Sequence, residues 1–123
     1  MTDRVHFVDH QGRRILVTDL SGLGPDQSPA VLEEARRLVA MLPKERSLLS
    51  LLLVRKMRFD PKTIDAMKQI GRATEPWVVA TAVVGLTAIG RVVARVVSTF
   101  SGRRYGAFDS EDQAKEWLAR QHA

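Results

Sequence analysis

The sequence predicts an α/β fold of order ββαβαβαβα. A mostly parallel sheet is covered by helices and carries one antiparallel strand from an N-terminal hairpin. Two apolar runs support this. Ser47-Leu48-Leu49-Ser50-Leu51-Leu52-Leu53-Val54 lies between Lys44, Glu45 and Arg46 on one side and Arg55, Lys56 and Arg58 on the other. Trp77-Val78-Val79-Ala80-Thr81-Ala82-Val83-Val84 runs from Pro76 to Gly85. Short runs that are apolar at nearly every position suit inner strands buried on both faces. The third observation is that these runs alternate with amphipathic segments, the pattern of strand–helix–strand units. A helix over residues 47–54 is the alternative, because leucine favours helix, but Pro43 and Pro61 leave it too little room.

Taken in order, residues 4–9 and 13–20 are β-rich runs joined by His10-Gln11-Gly12, with the glycine expected to supply a positive φ. Ser21-Gly22-Leu23-Gly24-Pro25-Asp26 reads as a loop. Ser28-Pro29 should open the first helix, serine as N-cap and proline at the first helical position. Val31, Ala35, Leu38 and Leu42 form its apolar stripe, widened by Leu32 and Val39. Asp60-Pro61 repeats the device for a second helix, with the stripe Ile64, Met67 and Ile70. A third helix is expected from Thr87 to Phe100 on the spacing Ile89, Val92, Val93, Val96, Val97, Phe100, held by packing against low valine propensity and Gly90. Residues 104–108 form a last strand. Ser110 and Gln113 have the capping-box spacing of a final helix that buries Ala114, Trp117 and Leu118.

At 123 residues the chain is one domain, 1–123, long enough to bury a core without staples. It contains no cysteine, which excludes disulfides, thiolate catalysis and zinc–sulfur sites. No run approaches a bilayer span, and no secretory apolar core follows the polar first residues, so a cytoplasmic protein is expected. The net charge is +5 and uneven: residues 44–62 hold six Lys/Arg against Glu45 and Asp60, residues 76–106 hold four arginines and no acid, and the end is acidic. Aromatics do not interleave with the basic residues, so nucleic acid is not an expected partner.

The phrases Ile15-Leu16-Val17-Thr18-Asp19-Leu20-Ser21-Gly22, Ala82-Val83-Val84-Gly85 before the Arg91-bearing helix, and Phe108 with an acidic cap before Trp117-Leu118 resemble the STAS superfamily. The resemblance is to its small, stand-alone, bacterial anti-sigma-factor-antagonist-like branch, for which a link to CRAL-TRIO lipid-binding domains has been suggested. It covers nearly the whole chain and implies a non-enzymatic module that binds a protein. In such antagonists a serine or threonine at the start of the helix after the central strand is phosphorylated, within Asp-Ser/Thr-x-Gly. This chain reads Arg55-Lys56-Met57-Arg58-Phe59-Asp60-Pro61-Lys62-Thr63 instead, which leaves Thr63 as the phosphorylation candidate and departs from the pattern.

From the residues themselves, the loop carrying Arg55, Lys56, Arg58 and Asp60 lies at the carboxyl end of an inner strand and at a helix N-terminus, where open α/β sheets bind ligands and helix amides favour anions. A solvated loop is the alternative. Ser21 and Gly22 form a second crevice candidate at the same sheet end. Arg91 and Arg95 share a helix face and, with Arg103 and Arg104, read as an acid-free patch suited to anionic lipid or a partner, the alternative being an ordinary sheet-packing helix with a solvated basic side. His6, His10 and His122 lack helical ligand spacing, and no metal or cofactor is expected. Ser21 follows Asp19 without a nucleophile-elbow pattern, so no catalytic residue is assigned. The expectation is a binding module for a protein partner or a small anionic or lipid-like ligand, acting through the loop after the central strand and the basic third helix. A peripheral lipid carrier or sensor is the second reading, which needs an apolar cavity behind Val92 and Phe100, and an enzyme of unrecognised type is the third. Peripheral membrane contact and a homodimer both fit.

Overall fold

A computed structural model describes residues 3–58, 60–88, 90–92, 95 and 104–122. The strands are β1 (Val5–His10), β2 (Arg13–Asp19), β3 (Leu48–Leu53), β4 (Val78–Val84) and β5 (Arg104–Phe108), and they form one sheet in the order β1-β2-β3-β4-β5. β1 and β2 are antiparallel and every other pair is parallel. The predicted α/β architecture is therefore present, with β3 and β4 side by side as inner strands. Helices α1 (Ser28–Ala40), α2 (Pro61–Thr74) and α3 (Glu111–Ala119) pack on it. Ala88, Gly90, Arg91, Val92 and Arg95 are also helical, capped by Thr87 Oγ1, which accepts from Gly90 N at 3.0 Å. The rest of the helix expected over residues 87–100 lies outside the described residues.

All seven residues of β4 are buried, as the continuous run requires of a strand covered on both faces. The two faces form separate cores. On one, Leu16, Leu48, Val78 and Val83 meet Val31, Leu32, Ala35 and Val39 of α1, with Ala66, Met67 and Ile70 of α2 packed alongside. On the other, Ile15, Val17, Leu49, Leu51, Ala80, Ala82 and Val84 meet Ala114 and Leu118 of α3. Successive residues of a strand serve opposite cores, so Leu48 and Leu49 divide between them. Full burial of each such leucine contributes about 2 kcal/mol. Trp77 and Trp117 belong to these cores: the first is buried and its indole N–H donates to Leu42 O, and the second packs 5.4 Å from Phe108.

Two local expectations change. The hairpin turn needs a positive φ at both central residues, Gln11 (52°) and Gly12 (76°), so glycine supplies only half of it. Ser28 is not the N-cap of α1. Gln27 holds that position in an αR conformation that no side chain caps, and Ser28 lies inside the helix, fully buried, its hydroxyl without a hydrogen-bond partner among the described residues.

Candidate functional site at the carboxyl rim of the sheet

The parallel strands all end at one rim, and the loops that leave it are tied together through their backbones. Leu20 N donates to Leu53 O (2.8 Å), Gly22 N to Arg55 O (2.8 Å), Val54 N to Val84 O (2.9 Å) and Arg58 N to Leu23 O (3.1 Å). These bonds carry the backbone pairing past Asp19 and Leu53, the last residues of β2 and β3. Lys56 turns it with φ at 57°, an uncommon conformation for a residue with a Cβ. The loop after β3 is thus held on one side by the Ser21–Gly22 segment and on the other by β4.

Arg55, Lys56 and Arg58 are exposed on this pinned loop. Arg55 donates through Nη2 to Asp109 O, and the Arg58 guanidinium lies against the buried Gly24, where an added Cβ would stand 2.6 Å from Nη2. Gly85, with φ at +97°, passes so close to Arg55 that an added Cβ would lie 2.9 Å from its backbone nitrogen. Asp19 orders the neighbouring crevice: its Oδ1 accepts from Ser21 N (2.9 Å), and Arg4 Nη1 donates to the carbonyls of Asp19 and Ser21.

Asp60 does what its sequence position predicts. It is extended, and its Oδ1 accepts from Thr63 N at 2.7 Å, capping α2. The Thr63 hydroxyl and N–H beside it hold its carboxyl below the ordinary value. The cap also places a negative charge where an anion would otherwise meet the α2 amides, so the helix terminus does not offer them free. Thr63 itself is fully buried, and its Oγ1 makes no bond of standard geometry among the described residues. A kinase would reach it only after the first turn of α2 opened.

Arg91 and Arg95 are both exposed on the helical segment after β4. The patch they form is not free of acid: Arg91 Nη2 lies 3.3 Å from Asp109 Oδ1, which joins this segment to the loop of Arg55 through a single residue. Arg104, expected in the same patch, donates to Gln121 Oε1, and Arg103 lies outside the described residues. Behind the two arginines sits Tyr105. Burial raises its phenol above the ordinary value while the charges of Arg91 and Arg95 oppose the rise, and its hydroxyl has no hydrogen-bond partner among the described residues. An open groove of about 620 Å³ runs from Arg91 past Phe108 and Asp109 along Asp112 and Glu116 of α3 to Arg120 at its end. Its walls are charged with both signs. The cavity expected behind Val92 and Phe100 falls largely on residues outside those described.

The fold therefore brings together Ser21, Gly22, Arg55, Lys56, Arg58 and Asp60, with Arg91 attached through Asp109. His10 stands apart at the opposite end, its Nε2 3.2 Å from Glu116 Oε1. Sequence reasoning missed Asp109, Arg4 and Gly85. Of these only Gly85 carries a signal, a glycine directly after a buried strand. Compared with protein-family models, with curated proteins and with solved structures, the chain matches none.

Proposed function

We propose that the chain is a non-enzymatic, STAS-like binding module that takes an acidic protein surface, or a small anionic or lipid-like ligand, at the carboxyl rim of its sheet. One observation carries this: three exposed cations, Arg55, Lys56 and Arg58, ride on a loop whose backbone is fixed by hydrogen bonds from the segments on both sides. Cations on a mobile loop lose conformational freedom when they bind, whereas a pinned loop has already given it up. Arginine adds planar, multi-donor recognition of carboxylate and phosphate. The strand order and the phrases that resemble the STAS superfamily support the kinship, and the basic segment with Arg91 and Arg95 extends the same surface.

The test separates this rim from general positive charge. Arg55, Lys56 and Arg58 are changed together to Glu, and a control carries the same charge change at Arg37, Arg46 and Arg72. Both are measured against immobilised polyglutamate and against phosphatidylglycerol and phosphatidylcholine vesicles. The rim variant is expected to lose retention on at least one anionic probe while the control keeps more of it. Equal losses in the two variants would reduce the rim to ordinary surface charge. Retention on polyglutamate alone identifies a protein-type ligand, and recovery with anionic but not neutral vesicles identifies a lipid.

A further inference from the structure

We propose that β1 is a pairing edge through which two copies of this chain join their five-stranded sheets, antiparallel, about a two-fold axis at Phe7. β1 ends the strand order, so one of its sides is not covered by the sheet. In an antiparallel ladder, residues alternate between those whose N–H and C=O face the neighbouring strand and those that turn away. Two observations set this phase. The two-residue turn makes His10 and Arg13 the closing bonded pair, and Asp19 N donates to Arg4 O at 2.7 Å, one step beyond the Val5–Thr18 pair. Both agree that Arg4, His6, Val8 and His10 bond with β2. Val5, Phe7 and Asp9 therefore present their backbone groups outward, and no hydrogen bond to these groups is seen from the described residues.

Edge strands are normally protected by proline, lysine, a bulge or a cover. β1 has neither proline nor lysine, and its register with β2 runs unbroken over all six residues. The middle of its three outward residues, Phe7, is 36% exposed, with the Arg14 guanidinium 5.5 Å from the ring centre.

The occupant follows from the strand's own symmetry. A two-fold axis keeps each face of the sheet continuous, so an outward residue must pair with an outward residue. Centred on Phe7, the register sets Phe7 against Phe7, Val5 against Asp9 and Asp9 against Val5, using every outward group in the strand. Centred on His6 or Val8, it carries one pairing beyond the strand, to Asp3 or Gln11. Centred on Asp9, it opposes two carboxylates. The Phe7 register opposes no like charges and places two aromatic rings as a cross-strand pair. The second copy's carboxyl rim then points the opposite way, so the dimer displays two binding rims at opposite ends.

Sedimentation velocity on the full chain, over a wide concentration range, should show a monomer–dimer equilibrium. Phe7→Lys should shift it to monomer with an unchanged far-UV circular dichroism spectrum. The register is read by single cysteines, since the native chain has none. Bonded antiparallel partners have Cα atoms about 5.5 Å apart, within disulfide reach. In a glutathione redox buffer Phe7→Cys should become a covalent dimer. His6→Cys and Val8→Cys should not, because each would face the other position. A native chain that stays monomeric at all concentrations overturns the proposal. So does a dimer that survives Phe7→Lys, or cross-linking of Val8→Cys as fast as Phe7→Cys.

Discussion

Helices α1 and α2 pack side by side on one face of the sheet, and both open on a small polar residue followed by proline, yet the two openings differ physically. At α2 the polar residue, Asp60, stays extended outside the helix and accepts from Thr63 N. At α1 the polar residue, Ser28, is drawn into the helix by a preceding turn in which Gln27 N and Ser28 N both donate to Gly24 O. Its hydroxyl is buried and unbonded among the described residues. The polar-residue–proline device caps one helix and not the other because the backbone of the polar residue itself, extended at Asp60 and helical at Ser28, decides whether its side chain can reach back to the amides. Capping by sequence device is thus conditional on the incoming loop. The α1 loop is committed to the rim ladder instead.

Exchanging the two devices should give the largest effect. Ser28→Asp places a carboxylate in a buried position with no partner and should lower stability by about 3–5 kcal/mol, read by urea denaturation. A loss no greater than that of an ordinary surface change would mean that Ser28 can reach the helix amides after all. Asp60→Ala comes next, with a lowered melting temperature and a changed acid limb. Because the folded Asp60 carboxyl is held below its ordinary 3.8, its contribution is complete above that pH and is lost as pH falls through the lowered value. The gap in stability between native chain and variant should therefore be constant above pH 3.8 and narrow below it. A gap that widens in acid would reverse the assignment. The smallest effect belongs to the unbonded Ser28 hydroxyl. Ser28→Ala should leave stability within about 1 kcal/mol of the native chain, on the favourable side. A clear loss would reveal a bond that the fold makes to that oxygen.

The inner strands were legible because burial on both faces leaves no room for polar alternation, and Leu48–Leu53 and Val78–Val84 show none beyond Ser50 and Thr81. Asp60 was legible because its chemistry is local, completed within four residues. Ser28 was misread through a shift of a single position, which reverses a cap into a buried helical residue. The stripe of α2 shows a similar limit. Its apolar residues mark the correct side, but its fully buried member is Thr63, which polarity hides from a hydrophobic pattern. The rim cations could be read as a loop from their flanking prolines and apolar runs. Their attachment to Arg91 could not, because Asp109 is 54 residues from Arg55 and 18 from Arg91 and meets them only through the order of the strands.

Gly85 gives the rim an unexpected point of control. It is uncharged, has no side chain and touches no ligand in the binding proposal, yet any Cβ there would strike the backbone of Arg55 before reaching open space. Its positive φ adds a penalty that every L-residue would share. The presentation of three charges therefore depends on the absence of one methyl group just past the end of the next strand. Survey by charge reversal alone would pass over the position whose slightest enlargement should displace the cationic loop.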